Sequence, residues 1–260
     1  MNLDFNNYNI LITGANSGIG RQVALDFAKA GASKIVLVAR RQTELDAIKT
    51  EINHMPDSNS QIHTLSADLT EQSAINKITN YCKDHLEHID VIIHSAGTFT
   101  SVESPAENAE NWDRTFALNT RAPFFLTMST MELLKKSNRY PSVINISSTL
   151  AEKPIPNATA YNASKAALNQ TTRSLALELA KDKIRVNAIM PAVVDTPMYA
   201  GRFPNPKEHE EALEQMSNFH PLGRVGMPSD ISAATLFLAS KQASWITGVI
   251  LPVDGGMLCT

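Results

Sequence analysis

YNILITGANSGIG, residues 8–20, joins a short apolar run to a turn that carries three glycines. The apolar run, 8–13, has the length of a buried strand, and from about 18 to 30 the apolar residues recur at the spacing of a helix. Gly31 then ends that helix, and the branched residues of 35–39 are typical of a strand that is buried on both faces. This stretch therefore predicts a strand, a glycine turn, a helix and a second strand.

The same alternation continues to the end of the chain. Further strands are predicted at 61–66, 90–96, 142–147, 184–190 and 248–253, with helices near 42–53 and 71–86 and from Tyr161 through Leu179. Seven strands separated by helical crossovers pair in parallel, because each right-handed crossover must pass over the sheet. We expect an α/β, doubly wound Rossmann fold in a single domain, 1–260, with its ligand crevice at the carboxyl ends of the strands.

Residues 192–222 interrupt this alternation with a long connection. It contains Pro197, Pro204, Pro206 and Pro221, and the apolar residues Met198, Tyr199, Phe203, Met216 and Phe219. Long connections in compact domains are usually functional or mobile, so we interpret 192–222 as a substrate lid with an apolar underside. A subunit contact or ordinary packing is the alternative interpretation.

The composition argues against several classes of protein. A formal net charge of −3 gives no general attraction to polyanions, so we expect no nucleic acid partner. The first ten residues lack a signal-peptide pattern, and no apolar run approaches the ~20 residues that span a bilayer, so we expect a cytoplasmic protein without membrane contact. Two distant cysteines, Cys82 and Cys259, and seven histidines without paired spacing predict neither a disulfide framework nor a metal site.

The turn after the first strand places Gly14, Gly18 and Gly20 where the first helix begins. Glycine permits a tight turn and lets backbone N–H groups approach a pyrophosphate, while the helix N-terminus adds a partial positive charge. Because this turn follows a strand and opens the helix of a βαβ unit, the pattern predicts nucleotide binding rather than a purely structural turn.

The end of the second strand indicates which dinucleotide binds. An NAD site normally presents a carboxylate to the ribose there, whereas this chain has Ala39 followed by Arg40 and Arg41. A guanidinium suits bidentate contact with a phosphate, which favours NADP(H) over NAD(H), unless the two arginines merely solvate a loop. Asp68, after the third strand, can accept a bond from the adenine amino group or cap the helix that begins near Glu71.

The sequence YNASK places Tyr161 and Lys165 four residues apart on one face of a helix. A cation near a phenol lowers the pKa of that phenol, which makes Tyr161 a candidate general acid/base for a carbonyl oxygen. Ser147 and Ser148 end a predicted strand upstream, where a hydroxyl can donate to the same oxygen. Asn119 offers an amide to a water molecule or to a backbone group nearby.

Together these motifs resemble the short-chain dehydrogenase/reductase superfamily. TGANSGIG at 13–20 matches the TGxxxGxG cofactor motif of that superfamily, and HSAG at 94–97 stands where NNAG is usual. The positions that match the catalytic tetrad are Asn119, Ser148, Tyr161 and Lys165. The match covers nearly the whole chain and continues with Pro191, Thr196, ITG at 246–248 and VDGG at 253–256.

The resemblance implies a role for each member of the tetrad. Tyr161 would donate a proton to the carbonyl oxygen as hydride arrives, and Ser148, rather than Ser147, would polarise that oxygen. Lys165 would hold the ribose hydroxyls and lower the pKa of Tyr161, while Asn119 would hold a water molecule in the proton relay. The implied cofactor contacts are Gly14, Asn16, Ser17, Gly18, Ile19, Gly20, Arg40, Arg41, Asp68, Leu69, Ser95, Ala96, Gly97, Tyr161, Lys165, Pro191, Val194 and Thr196.

Three features depart from the family pattern. His94 and Ser95 replace two asparagines, which affects the details of sheet bracing and ribose contact but not the reaction. We interpret His94 as a hydrogen-bonded residue near the cofactor rather than as a catalyst. Ala192 replaces a common glycine and can narrow the nicotinamide pocket. Ser17 stands where many NADP-dependent relatives carry Arg or Lys, so phosphate selection would rest mainly on Arg40.

The sequence therefore favours an NADP(H)-dependent carbonyl reductase or alcohol dehydrogenase that acts on a small organic substrate. A 3-oxoacyl thioester (acyl-carrier) reductase, a sugar or polyol dehydrogenase and a steroid-type dehydrogenase remain open, with a slight lean toward a hydrophobic carbonyl compound. The rival is a sensor or scaffold that binds NADP(H) without turnover, which the complete tetrad disfavours. The resemblance also implies a homo-oligomer, either a tetramer or a dimer.

Overall fold

The sheet is the central element of the structure, a computed structural model that describes residues 3–56, 58–101, 108–200 and 205–260. Its strands are β1 (Asn9–Thr13), β2 (Lys34–Ala39), β3 (Gln61–Ser66), β4 (Val91–His94), β5 (Ser142–Ile146), β6 (Arg185–Pro191) and β7 (Ile250–Val253). Within the described residues these seven strands form one sheet in the order β3-β2-β1-β4-β5-β6-β7. Every neighbouring pair is parallel, so the carboxyl ends of all strands meet at one edge.

Helices connect the strands. They are α1 (Gly18–Lys29), α2 (Gln42–Asn53), α3 (Gln72–His85), α4 (Ala109–Phe116), α5 (Ala122–Ser129), α6 (Met131–Lys135), α7 (Thr159–Leu179), α8 (Pro197–Ala200), α9 (Pro206–Ser217) and α10 (Pro228–Ala239). A π-helical turn, Ala117–Arg121, joins α4 to α5. No helix within the described ranges combines the length and the apolar character needed to cross a membrane.

Both faces of the sheet are covered, which explains why its central strands β1, β4 and β5 are buried at every position. Along β1, Ile10 and Ile12 pack in one buried cluster with residues of α1 and α10, whereas Leu11 packs in a second cluster with residues of α3 and α7. Side chains alternate between the faces of a strand, so continuous burial requires helices on both sides. The predicted doubly wound α/β fold is confirmed.

The bounds of the strands differ from the prediction mainly at the site edge. The predicted strand 90–96 ends at His94, because its neighbour β1 ends at Thr13 where the glycine turn begins. Beyond that pair, Ala96 instead donates its N–H to the side-chain oxygen of Thr13 at 3.3 Å. The two residues that follow His94 therefore leave the ladder and enter the ligand crevice.

The long connection 192–222 contains the two helices α8 and α9, which the sequence interpretation did not predict. Asn205 accepts a hydrogen bond from the N–H of Glu208 at 3.0 Å and Pro206 takes the first helical position, which together form a regular helix start. The prolines therefore begin helices here rather than prevent them. Phe203 and Pro204, which were assigned to the lid, lie outside the described residues.

A buried arginine fixes the start of β6 to α10. The guanidinium of Arg185, at the start of β6, donates to the carbonyls of Leu238, Ala239 and Ser240 at 2.7 to 3.3 Å. These are the last carbonyls of α10, which have no partner within the helix. Burial lowers the pKa of Arg185 to about 10, so the side chain remains charged at neutral pH.

We expect Arg185→Met to lower the free energy of unfolding by about 3 kcal/mol, because it leaves several buried carbonyls without a donor. Urea unfolding measures the difference. Arg173→Met, at an exposed position of α7, is the matched control and is expected to change stability by less than ~0.5 kcal/mol. Equal effects of the two substitutions would show that the carbonyl contacts are not stabilising.

Candidate active site

The turn between β1 and α1 approaches the backbone after β4 so closely that side chains are excluded. A Cβ added to Gly14, whose φ is +67°, would lie 2.6 Å from the backbone nitrogen of Ala96. A Cβ added to Gly20 would overlap the carbonyl of Gly14. Glycine is therefore required at both positions because of the close approach of backbone atoms, and at Gly14 also because of its positive φ.

The first turn of α1 fits the phosphates of a dinucleotide. Ser17 precedes the helix without making a capping hydrogen bond through its side chain, and the first turn contains no acidic residue. Helix N-termini present N–H donors and a partial positive charge, which stabilise a bound anion. Because no side chain caps the helix and no carboxylate repels an anion there, the turn can accept a pyrophosphate.

One cavity extends along the carboxyl edge of the sheet and joins this turn to the tetrad positions. Of the predicted cofactor contacts, its lining includes Gly14, Asn16, Ser17, Gly18, Ile19, Arg40, Asp68, Leu69, Ser95, Ala96, Gly97, Tyr161, Lys165, Pro191, Val194 and Thr196. Ser148 lines the same cavity, whereas Gly20, Arg41 and Asn119 lie outside its lining. Among the described residues, no group of three or more His, Cys, Asp or Glu side chains is placed to hold a metal ion.

The two arginines after β2 have different environments. Arg40 lines the cavity, while the guanidinium of Arg41 pairs with the carboxylate of Glu44 in the first turn of α2. Glu44 also accepts a hydrogen bond from the amide of Asn16 at 2.6 Å. Its bonds with Arg41 and Asn16 hold the pKa of Glu44 below its ordinary value. Glu44 thus holds Arg41 outside the lining and leaves Arg40 as the arginine of the pair that faces a ligand.

Asp68 forms a local turn at the cavity rather than a helix cap. Its carboxylate accepts hydrogen bonds from the N–H and the hydroxyl of Thr70, at 3.0 and 2.8 Å. The helix α3 begins at Gln72, with Glu71 in the capping position. Of the two roles that the sequence left open, capping of α3 is therefore not the one in the structure, and the contact with adenine stays a prediction.

Lys165 lies one helical turn after Tyr161 on α7, and only 4% of its surface is exposed. Its Nζ donates to the carbonyl of Ile146 at the end of β5 at 2.8 Å, and lies 5.7 Å from the centre of the Tyr161 ring. Burial lowers the pKa of Lys165 to about 8. The ammonium is therefore present at neutral pH beside the phenol, in an environment that strengthens its electrostatic effect.

Ser147 and Ser148 both follow β5 but have different hydrogen bonds. The hydroxyl of Ser147 donates to the backbone carbonyl of Lys165 at 3.4 Å. Ser148 accepts a hydrogen bond from the N–H of Leu150 at 3.2 Å and begins a short helical turn, Thr149–Ala151. A hydroxyl that accepts from the backbone keeps its own proton free to donate. This difference favours Ser148 as the donor to a substrate oxygen.

Asn119 is buried in the π-helical turn, where it connects the segment after β4 to α7. Its amide nitrogen donates to the carbonyl of Thr98 and to the hydroxyl of Ser164, both at 3.0 Å, while its oxygen accepts from the N–H of Thr98 at 2.9 Å. The predicted contact with a backbone group is present. Both N–H groups of the Asn119 amide are engaged, so a relay water would have to donate its hydrogen bond to an oxygen atom of this segment. The role of Asn119 in holding that water stays a prediction.

Known proteins are similar in sequence to nearly the whole chain. A family model described as enoyl-(acyl carrier protein) reductase matches residues 14–258. L-xylulose reductase of Caenorhabditis elegans is 34% identical over 257 residues, which cover 98% of this chain and 97% of that protein. The chain belongs to the short-chain dehydrogenase/reductase family. It is therefore an oxidoreductase of the Rossmann type.

Two further members of the short-chain dehydrogenase/reductase family show the range of the similarity. A hydroxynaphthalene reductase-like protein of Metarhizium anisopliae is 32% identical and covers 95% of this chain and 93% of its own length. L-sorbose reductase from Gluconobacter frateurii, solved in complex with NADPH and L-sorbose, is 27% identical and has a TM-score of 0.92 over 100% of both chains.

The departures from the family pattern fall into two groups. Ser17, Ser95 and Ala192 line the cavity, whereas His94 lies outside its lining. The His94 ring is buried and hydrogen-bonded to the hydroxyl of Thr127 at 2.9 Å, and burial lowers its pKa to about 3. A neutral ring with a partner in the protein interior agrees with the interpretation of His94 as a hydrogen-bonded residue rather than a catalyst.

Several apolar residues of the cavity were missed in the sequence. Phe99 contacts the Tyr161 ring edge to face, with 4.7 Å between ring centres, and Ile155 and Met257 also line the cavity. Phe99 follows HSAG by two residues and Met257 follows VDGG directly, so adjacency to these motifs was the available signal. Nothing in the sequence around Phe99 or Met257 indicated that these two segments would line the same cavity.

We expect the stability of the cofactor-free protein to rise with pH between about 8 and 10.5 because of Lys165. In that window the unfolded chain binds the lysine proton and the folded chain does not, so the free energy of unfolding increases by at most about 1.4 kcal/mol per pH unit. Urea unfolding across this window compares the wild type with Lys165→Met. The wild type should show the steeper rise, and identical slopes would contradict a buried amine with a lowered pKa.

Proposed function

We propose that the protein is an NADP(H)-dependent oxidoreductase that transfers a hydride between nicotinamide and the carbonyl or secondary alcohol carbon of a small substrate, with Tyr161 as general acid/base. The observation that carries this proposal is that Tyr161, Lys165 and Ser148 line one cavity together with the glycine turn. The cavity therefore provides a place for a dinucleotide and an acid for a carbonyl oxygen within one continuous space.

The chain's own residues account for the proton and for the charge. NADPH, when bound, supplies the hydride that adds to the carbonyl carbon. The phenol of Tyr161 gives its proton to the carbonyl oxygen, so that a ketone becomes a secondary alcohol, and Ser148 donates a hydrogen bond to the same oxygen. The ammonium of Lys165 stabilises the phenolate that remains and is placed to hold the ribose hydroxyls. In the reverse direction Tyr161 accepts the proton from the alcohol.

The cofactor choice rests on Arg40. A guanidinium at the cavity edge suits a ribose 2′-phosphate, and the chain from 39 to 41 has no carboxylate that would accept a hydrogen bond from a bare 2′-hydroxyl. The solved L-sorbose reductase relative contains NADPH, which supports the same choice. NAD(H) is the less favoured cofactor.

A sensor or scaffold that binds NADP(H) without turnover is the alternative function. The complete set of tetrad positions, Asn119, Ser148, Tyr161 and Lys165, argues against it, since a protein that only binds the cofactor would need no proton donor for a substrate. A 3-oxoacyl thioester reductase is an alternative within the same reaction class.

The proposal also includes the location, the assembly and the lid of the protein. We propose a cytoplasmic homo-oligomer, either a tetramer or a dimer. We propose that 192–222 forms a substrate lid, because Met198 and Met216 of that segment line the cavity.

We expect Tyr161→Phe to lower kcat for ketone reduction by about 10²- to 10⁴-fold, because it removes the acid. NADPH binding, measured by the enhancement of nicotinamide fluorescence, should change little. Tyr140→Phe, at an exposed tyrosine outside the cavity, is the control and should retain full activity. NADPH binding without oxidation of NADPH on any carbonyl substrate, unchanged in Tyr161→Phe, would favour the sensor.

We expect Arg40→Asp to weaken NADPH binding about 10- to 100-fold and to shift preference toward NADH, since a charged hydrogen bond to phosphate is replaced by repulsion. Titration with 2′,5′-ADP and 5′-AMP measures the adenosine end of the cavity without turnover. Arg41→Asp should have the smaller effect, because Arg41 pairs with Glu44 outside the lining. Unchanged selectivity in Arg40→Asp would remove Arg40 from the proposal.

A further inference from the structure

The part of the cavity around the reacting groups has an apolar wall that is built from separate segments of the chain. We call this the apolar wall; its members are Phe99, Ile155, Met198, Met216, Phe219 and Met257. None of them belongs to the glycine turn or to the ends of β2 and β3, where the adenosine half of a dinucleotide would bind. The apolar wall therefore surrounds the place that a substrate would take.

Two members of the apolar wall contact a reacting residue or its neighbour in the chain. The ring of Phe99 packs edge to face on the ring of Tyr161. The sulfur of Met257 lies 3.9 Å from the hydroxyl of Thr149, the residue after Ser148. A carbonyl held between Tyr161 and Ser148 would thus lie in the apolar part of the cavity.

The position of Met257 is fixed by its own segment. Asp254 accepts hydrogen bonds from the N–H groups of Gly256 and Leu258, at 3.0 and 2.9 Å, which closes the turn after β7. Lys153 donates to the carbonyl of Met257 at 3.3 Å. These bonds hold the backbone on both sides of the residue, so that its thioether packs against Thr149 rather than being free on the surface.

Polar recognition groups are concentrated at the other end of the cavity. Among the described lining residues, those that carry a charge or an amide side chain are Asn16, Arg40, Asp68 and Lys165. The first three lie at the glycine turn and at the ends of β2 and β3. Lys165 is engaged with the carbonyl of Ile146. Around the apolar wall, the described lining residues offer a substrate hydroxyl groups but no carboxylate, amide or further cation.

This distribution selects against substrates that carry many hydroxyl groups. Each hydroxyl that enters an apolar site without a partner costs about 1–3 kcal/mol, and a polyhydroxy ketone would bring several. A substrate that is bound as a thioester to a long polar carrier with a phosphate group would find no cation among the described residues of the apolar wall to bind that phosphate. Methionine sulfur contacts aromatic rings favourably, and its flexible side chain adapts to the outline of a ring.

We propose that the substrate is a compact apolar ketone, an aryl-fused or alicyclic one whose carbonyl is its principal polar group, and that Met257 determines this selectivity. The proposal rests on the oxidoreductase function proposed above, because the carbonyl is placed by Tyr161 and Ser148. In the reducing direction the ketone gains the hydride at carbon and the Tyr161 proton at oxygen, and the product is the secondary alcohol.

The first test compares three carbonyl compounds with NADPH as reductant: 2-tetralone, L-sorbose and the N-acetylcysteamine thioester of acetoacetate. We expect kcat/KM for 2-tetralone to exceed that for L-sorbose about 100-fold and that for the thioester at least about tenfold. A higher kcat/KM for L-sorbose or for the thioester would overturn the substrate class and leave the proposed function intact.

A second readout separates failure of the chemistry from failure of the substrate class. If none of the three compounds oxidises NADPH, the proposed function fails, and saturation-transfer NMR then measures binding of 2-tetralone and L-sorbose directly. Binding of 2-tetralone without binding of L-sorbose would support the apolar class, and the opposite order would overturn it.

The role of Met257 is tested by Met257→Gln, with Met257→Leu as the conservative variant. Met257→Gln should raise KM for 2-tetralone about tenfold and lower the ratio of kcat/KM for 2-tetralone to kcat/KM for L-sorbose. This ratio is the readout because it reports the site rather than the amount of folded enzyme. Met257→Leu should keep the ratio within about twofold. Met227→Gln, at a position that is 47% exposed and outside the lining, is the matched control and should leave the ratio unchanged. An unchanged ratio in Met257→Gln would exclude Met257 as a determinant.

Discussion

The hydrogen bond from the buried Lys165 ammonium to the carbonyl of Ile146 is the interaction on which the site depends. It can form only when α7 lies along the end of β5 in the observed register, so it also sets the position of Tyr161 one turn earlier. Burial makes a charge in this environment unfavourable and lowers the pKa of Lys165. Groups with such costs are concentrated at functional sites, where the charge acts on a neighbouring group.

The two halves of the cavity are joined by a pair of adjacent small residues. Ala96 lies against Gly14 of the glycine turn, and a Cβ at Gly97 would approach the Asn119 oxygen at 3.4 Å and the Lys165 nitrogen at 3.6 Å. One short segment after β4 thus contacts the nucleotide turn on one side and the reacting helix on the other. This contact joins the glycine turn and the tetrad positions along one wall of the cavity.

Patterns that depend on neighbouring residues could be predicted from the sequence. The strands, the parallel pairing and the spacing of Tyr161 and Lys165 follow from periodicity and from the crossover rule. The helices within 192–222 were missed, although Asn205 and Pro206 form a recognisable helix start. The environment of Arg41 was beyond prediction, because it depends on the side chain of Glu44 rather than on the position of the arginine after the strand.

Long-range contacts set the remaining details of the site. Asn119 was expected to offer its amide to water or backbone, and its partners Thr98 and Ser164 come from segments that only the fold brings together. Met257 reaches the cavity because the turn after β7 folds back against Thr149. Such contacts carry no local periodicity, so the tetrad positions could be recognised by motif while the residues of the apolar wall could not.

The Lys165 ammonium is proposed to lower the pKa of the Tyr161 phenol, and an ultraviolet titration of tyrosinate in the NADP⁺ complex measures this effect. The difference between the wild type and Tyr161→Phe isolates the ionisation of this one phenol. We expect the phenol to ionise below the ordinary tyrosine pKa of about 10, and we expect the transition to move upward in Lys165→Met. A Tyr161 that ionises at or above that value in both proteins would show that Lys165 does not act on the phenol.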